Sequence, residues 1–218
     1  MITDGLTPFA VLAFLALVGG VLASGVAVLA AILMKHPLWA RRFTVAGAAG
    51  VATYAGLLLV ASLTSGDRVL APGETKHICE IDCHTAYTVV NAGTAKTIGG
   101  RTARGVFHVI TVGVAFDSST IGPRRGMSPL MPGPREVWVV DRGGATYALL
   151  DPGNVDSLQR SIVPGQTFTA DLVFDLPVGI EEPKLLIAAR TILPDRLMIG
   201  AEYSLFHAKV YFRISGSS

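Results

Sequence analysis

The sequence predicts an α+β protein by segment: a two-helix N-terminal transmembrane hairpin followed by an all-β, immunoglobulin-like sandwich. Three observations predict it: two long uncharged stretches near the N-terminus, a break in composition at Ser65–Asp67, and, beyond it, short apolar or alternating runs punctuated by Gly and Pro. The expected domains are residues 1–66 for the hairpin and 67–218 for the sandwich.

Pro8–Met34 holds no charged residue across 27 positions, and Phe43–Leu63 none across 21. Each is long enough to cross a hydrocarbon core, which takes roughly 20 helical residues. Within lipid the backbone must satisfy its own hydrogen bonds, so such a segment crosses as a helix even when rich in Gly and Val. The opening Met1–Asp4 has no Lys or Arg, which argues against a cleaved signal peptide. The expected helices are therefore 8–34 and 43–63, joined by a loop over 35–42.

That loop holds Lys35, Arg41 and Arg42, every basic residue of the first 66. By the positive-inside rule it is cytoplasmic, with Trp39 at headgroup level, so the N-terminus and the C-terminal domain both fall on the periplasmic side of the inner membrane. Small residues recur at four-residue spacing, Ala16, Gly20 and Ser24 on the first helix and Ala46 and Gly50 on the second, as close helix packing in lipid requires. Neither uncharged span contains His, so no intramembrane proton relay, ion site or pigment-ligating His is expected there. The pair reads as an anchor or a docking surface.

Of the 18 Lys and Arg and 16 Asp and Glu, fifteen of each lie beyond Gly66, so the net charge of +2 belongs to the hairpin. A neutral domain argues against a nucleic-acid partner, which favours a basic face. Candidate strands are His77–Val90, Gly105–Phe116, Glu136–Asp141, Thr146–Leu150, Thr167–Phe174, Lys184–Thr191, Leu197–Gly200 and Lys209–Ile214. Turn signals such as Ala71-Pro72-Gly73, Gly99-Gly100 and Asp151-Pro152-Gly153 separate them. Strands of this number and spacing favour an antiparallel sandwich.

The connection from Asp117 to Arg135 is too long for a plain turn. Its Arg124, Arg125, Met127 and Met131 are residue types that interfaces favour, so these four, with Trp39, are the candidate partner contacts.

The two cysteines fall in Cys79-Glu80-Ile81-Asp82-Cys83-His84. Four residues along a regular strand span about 13 Å, beyond disulfide reach, so a Cys79 to Cys83 bond needs a bulge or a turn between them. Other readings stay open beside it. Buried free thiols fit the alternation of a half-buried strand. Metal ligation by Cys79, Cys83 and His84 needs a further ligand from His77, His108, His207, Met127 or Met131. Covalent haem is the third, since C-x3-C-H is one residue longer than the haem attachment motif.

The run Cys79–Val90 and the closing block Leu197–Phe212 resemble those of uncharacterised bacterial membrane-anchored proteins that carry an extracytoplasmic immunoglobulin-like domain behind N-terminal helices. The resemblance covers most of Val69–Ile214 and implies no catalytic residues. Proteins of this layout are similar to accessory subunits of energy-converting complexes, including photosynthetic reaction centre–antenna assemblies. The chain lacks G-x-S-x-G, H-E-x-x-H, a Walker loop and a helix-opening G-x-G-x-x-G. The expectation is a non-catalytic subunit without cofactor, whose partners are the bilayer and other subunits of a membrane complex. The alternative is a metal- or haem-carrying electron-transfer domain using Cys79, Cys83 and His84.

Overall fold

The computed structural model describes residues 2–4, 8–78, 84–122, 125–133, 135–190, 196–202 and 204–214. The chain divides into two compact units: a helical unit, Leu6–Gly66 with Thr191–Ala208, and a β unit, Met1–Gly5, Asp67–Arg190 and Lys209–Ser218.

In the helical unit, α1 (Pro8–Leu33) and α2 (Pro37–Leu63) form an antiparallel hairpin. Both are long and apolar enough to cross a membrane. The turn between them is shorter than the expected 35–42 loop, because a charge ends the lipid-compatible stretch without ending a helix. His36 N–H donates to the Ala31 carbonyl at 2.8 Å and Lys35 N–H to that of Ile32 at 3.0 Å, the paired bonds of a Schellman cap. Lys35 takes the left-handed conformation such a cap demands, at φ 58°. Pro37 then restarts the helix at a position that needs no N–H, so Trp39, Arg41 and Arg42 lie in its first turns.

Two five-stranded sheets make up the β unit. One has the order β1 (Ile2–Asp4), β3 (Thr75–Ile78), β4 (Thr85–Ile98), β5 (Arg101–Phe116) and β8 (Thr167–Leu176). The other runs β2 (Arg68–Leu70), β10 (Val210–Arg213), β9 (Lys184–Ala189), β6 (Arg135–Val140) and β7 (Thr146–Ala148). Neighbours pair antiparallel except β1 with β3 and β2 with β10. The β2 pairing is set by Arg68 N–H donating to the Lys209 carbonyl and Lys209 N–H donating to the Asp67 carboxylate, each at 3.0 Å.

The inner faces follow the period of two that an antiparallel strand imposes. Ile110, Val112, Val114 and Phe116 of β5 and Leu172 and Phe174 of β8 meet Val137, Val139, Leu185, Ile187 and Phe212 of the other sheet in one buried cluster. Phe107 is also buried but is not part of that cluster.

Two strand expectations and one loop expectation change. Ile78 pairs with Thr85 across antiparallel β3 and β4, so the chain reverses inside the expected His77–Val90 strand. Alternation alone does not register a reversal that preserves its phase. Leu197–Gly200 is a turn in the helical unit rather than a strand. The 117–135 connection is tied down part way, since Asp117 caps a 3-10 turn at Ser118–Thr120 and Leu130 exchanges backbone hydrogen bonds with Ile162. The structure adds β1, the distal half of β4, and a 3-10 segment at Pro152–Gln159.

Gly105 is where β5 leaves its partner β8, and a Cβ there would overlap the Leu176 carbonyl. Gly105→Ala is expected to separate the strand ends and lower the unfolding midpoint in chemical denaturation, with a loss of ~2 kcal/mol or more, as overpacking costs.

Candidate functional site

β3 sends consecutive side chains to opposite faces of its sheet, Lys76 inward and His77 outward. Lys76 is fully buried, its Nζ donating to the Ile187 carbonyl of β9 at 3.0 Å and the Val210 carbonyl of β10 at 3.2 Å. Its cross-strand neighbour Tyr87 accepts a 2.7 Å bond from Arg135 Nε of β6, and the guanidinium carbon lies 5.2 Å from the tyrosine ring centre. Two cations thus cross the sandwich interior and join its sheets by charge-assisted bonds. Their role is structural, because buried cations persist only with partners.

On the outer face, His77 Nε2 lies 2.8 Å from Asp117 Oδ2. The other carboxylate oxygen accepts from the Ser119 N–H at 2.9 Å and its hydroxyl at 2.6 Å. Those hydrogen bonds, the Ser119 hydroxyl foremost and then the His77 imidazole, hold the Asp117 carboxyl below the usual carboxylate range. His77 Nδ1 is buried, with no hydrogen-bond partner among the described residues. Arg68, Glu74, Thr75, His77, Asp117 and Ser118 are among the residues lining a cleft of about 620 Å³ here. Among the described residues no hydroxyl hydrogen-bonds to His77, and no three of His, Cys, Asp and Glu cluster to hold a metal.

His84 stands next to this cluster. Thr120 Oγ1 donates to the Asp117 carbonyl at 2.7 Å, so its 2.6 Å bond with His84 Nδ1 takes the imidazole proton, while the ring stacks on Phe116 at 5.3 Å. Cys79 and Cys83, and with them the disulfide, metal and haem readings, lie outside the described residues. His108 is half-buried on β5, where desolvation lowers its pKa.

The expected partner contacts are dispersed. Arg125 rests 5.5 Å from the Phe116 ring centre, Met127 and Met131 are exposed, and Arg124 lies outside the described residues. Trp39 stacks on Phe43 at 5.9 Å, with the Arg42 guanidinium 5.1 Å from its ring. The helix-packing residues, by contrast, converge. Ala16, Gly20, Ser24, Ala46 and Gly50 all line one groove of about 410 Å³ along the hairpin. Gly47, which the four-residue spacing passes over, makes the closest approach: a Cβ there would stand 3.2 Å from Ser24 Cβ. The His77 and Asp117 pairing was also missed, because 40 residues separate partners that only the β3, β4 and β5 pairings bring together.

Two outcomes are expected. The folded Asp117 carboxyl titrates below its unfolded value, so its contribution to stability is full above about pH 4 and is lost as pH falls through the folded value. Denaturant midpoints at neutral and acid pH should show a smaller acid loss in Asp117→Asn than in the parent. Lys76→Met keeps the stem but removes the ammonium from two carbonyls, and should cost ~2 kcal/mol in the same measurement.

No family model matches the chain, and no curated protein matches it significantly. Among solved structures, a secreted protein of Mycobacterium tuberculosis, MPT63, is similar at 12% identity and a TM-score of 0.39, over 58% of this chain and 100% of that one. The yjhA protein of Bacillus subtilis is similar at 15% identity and a TM-score of 0.37, over 66% of this chain and 98% of that one.

Proposed function

We propose that the chain is a two-pass protein of the inner membrane with an immunoglobulin-like domain on the periplasmic side. In this reading it is a non-catalytic accessory subunit that docks through its helices on a larger membrane complex and braces that complex's outer face. The observation that carries the reading is the hairpin groove: eight of its twelve lining residues are Ala, Gly, Ser or Thr, small side chains that admit another helix closely in lipid. Lys35, Arg41 and Arg42 at the hairpin turn support a cytoplasmic turn. β1 precedes α1 and β2 follows α2, yet both join the β unit, in keeping with an even number of crossings between them. The immunoglobulin-like assignment draws on two facing sheets of short, mostly antiparallel strands. An energy-converting complex, photosynthetic or respiratory, follows only from the similarity of this layout, N-terminal helices before an extracytoplasmic domain, to accessory subunits of such complexes.

The test is mild detergent extraction and mass spectrometry of what a C-terminal tag retains. Co-purification with a larger complex is expected, and recovery as a free monomer counts against the reading. A Cβ at Gly20 or Gly50 meets nothing within 4 Å, so Gly20→Leu and Gly50→Leu fill the groove without disturbing the hairpin. Both should release the partner while leaving the thermal unfolding of the extracted chain unchanged.

A further inference from the structure

The helical unit contains a second element besides the hairpin, the segment 196–208. It is attached to α2 at two levels. Tyr54 Oη donates to the Leu197 carbonyl at 2.7 Å, and Ala208 N–H donates to Ser65 Oγ at 2.8 Å. From Tyr54 to Leu63, where α2 ends, the helix rises nine steps, or about 13 Å. The uncharged stretch Phe43–Leu63 matches the thickness of a hydrocarbon core of about 30 Å, so the upper edge of that core falls near Leu63. Leu197 is therefore held at a point on α2 below that edge, and the tyrosine side chain recovers only part of the depth.

The segment buries Met198 and Ala201, but it also buries polar side chains while leaving three bulky apolar ones exposed. Glu202 and Ser204 are each 5% exposed, whereas Leu197 is 37%, Leu205 42% and Phe206 75% exposed. Leu205 N–H donates to the Arg196 carbonyl at 3.1 Å, which brings Leu197 beside Leu205 and Phe206. Phe206 holds φ at 62°, a left-handed conformation that costs a bulky residue free energy. Exposed Arg196 flanks the apolar group, as cations do at a headgroup boundary. Exposing Leu197, Leu205 and Phe206 together is unfavourable in water and favourable against acyl chains.

We infer that 196–208 is a membrane-interface anchor, with Leu197, Leu205 and Phe206 seated in the upper acyl region of the bilayer and Arg196 among its headgroups. The inference rests on the membrane reading of the hairpin, and its occupant is lipid. Aromatic and leucine side chains beside a basic residue are the composition of interfacial anchors.

The test places Phe206→Trp in the full chain, reconstituted in phosphatidylcholine and phosphatidylglycerol vesicles, and follows the emission it adds over the parent. The added emission should be blue-shifted, quenched by lipids brominated near the top of the acyl chain, and insensitive to aqueous iodide. Quenching by iodide with no effect of brominated lipid overturns the anchor. Protection from both quenchers overturns it as well, since the ring is then covered by protein, a second copy or another subunit. If Phe206→Trp does not fold, Leu205→Trp reads the same depth. Release of the parent chain from the vesicles at alkaline pH sinks the membrane reading itself, whereas retention combined with iodide quenching removes only the anchor.

Discussion

Every peptide group in this chain must find a hydrogen-bond partner, and the solvent it meets decides where that partner can lie. Across 8–63 two stretches are long and apolar enough to cross a membrane, and their groups pair within α1 and α2. Beyond Gly66 the apolar positions are spaced for one face of a strand, and the same groups pair between strands of two sheets. Sheets have edges where helices do not, and the chain covers part of that liability itself. β1 lies along the outer side of β3, and the Leu150 N–H donates to the Val173 carbonyl of edge strand β8.

The polar interior follows from the same requirement. Lys76 and Arg135 are buried, and each donates hydrogen bonds to the opposite sheet. Such bonds offset the cost of taking the charge out of water. They do fix which residues face each other across the sandwich. The outer-face cluster is assembled by that register: with Lys76 pointing inward, His77 emerges beside Asp117 at the end of β5, and Asp117 in turn shapes the start of the long connection. One strand thereby links core and cleft.

Side-chain sorting carries a similar lesson for the helical unit. A groove of small residues and a loop that exposes Phe206 while burying Glu202 are poor solutions in water. In lipid both are reasonable, because close backbone approach replaces the hydrophobic drive and an exposed aromatic ring is solvated by acyl chains. The two uncharged stretches and the turn basic residues already point to that solvent, and the loop agrees with them from a distant part of the chain.

Features set by local physics are legible in the residues alone. Charge-free length located α1 and α2, and Gly and Pro marked most of the β turns. Tertiary structure decided what depends on partners far apart in sequence. The reversal between Ile78 and Thr85, the joining of His77 to Asp117, the burial of Lys76 and the attachment of 196–208 to Tyr54 all arise from contacts that no local pattern encodes. A strand's alternation tells which residues share a face, but only pairing tells which face meets the core, and a loop's composition does not say which helix will hold it.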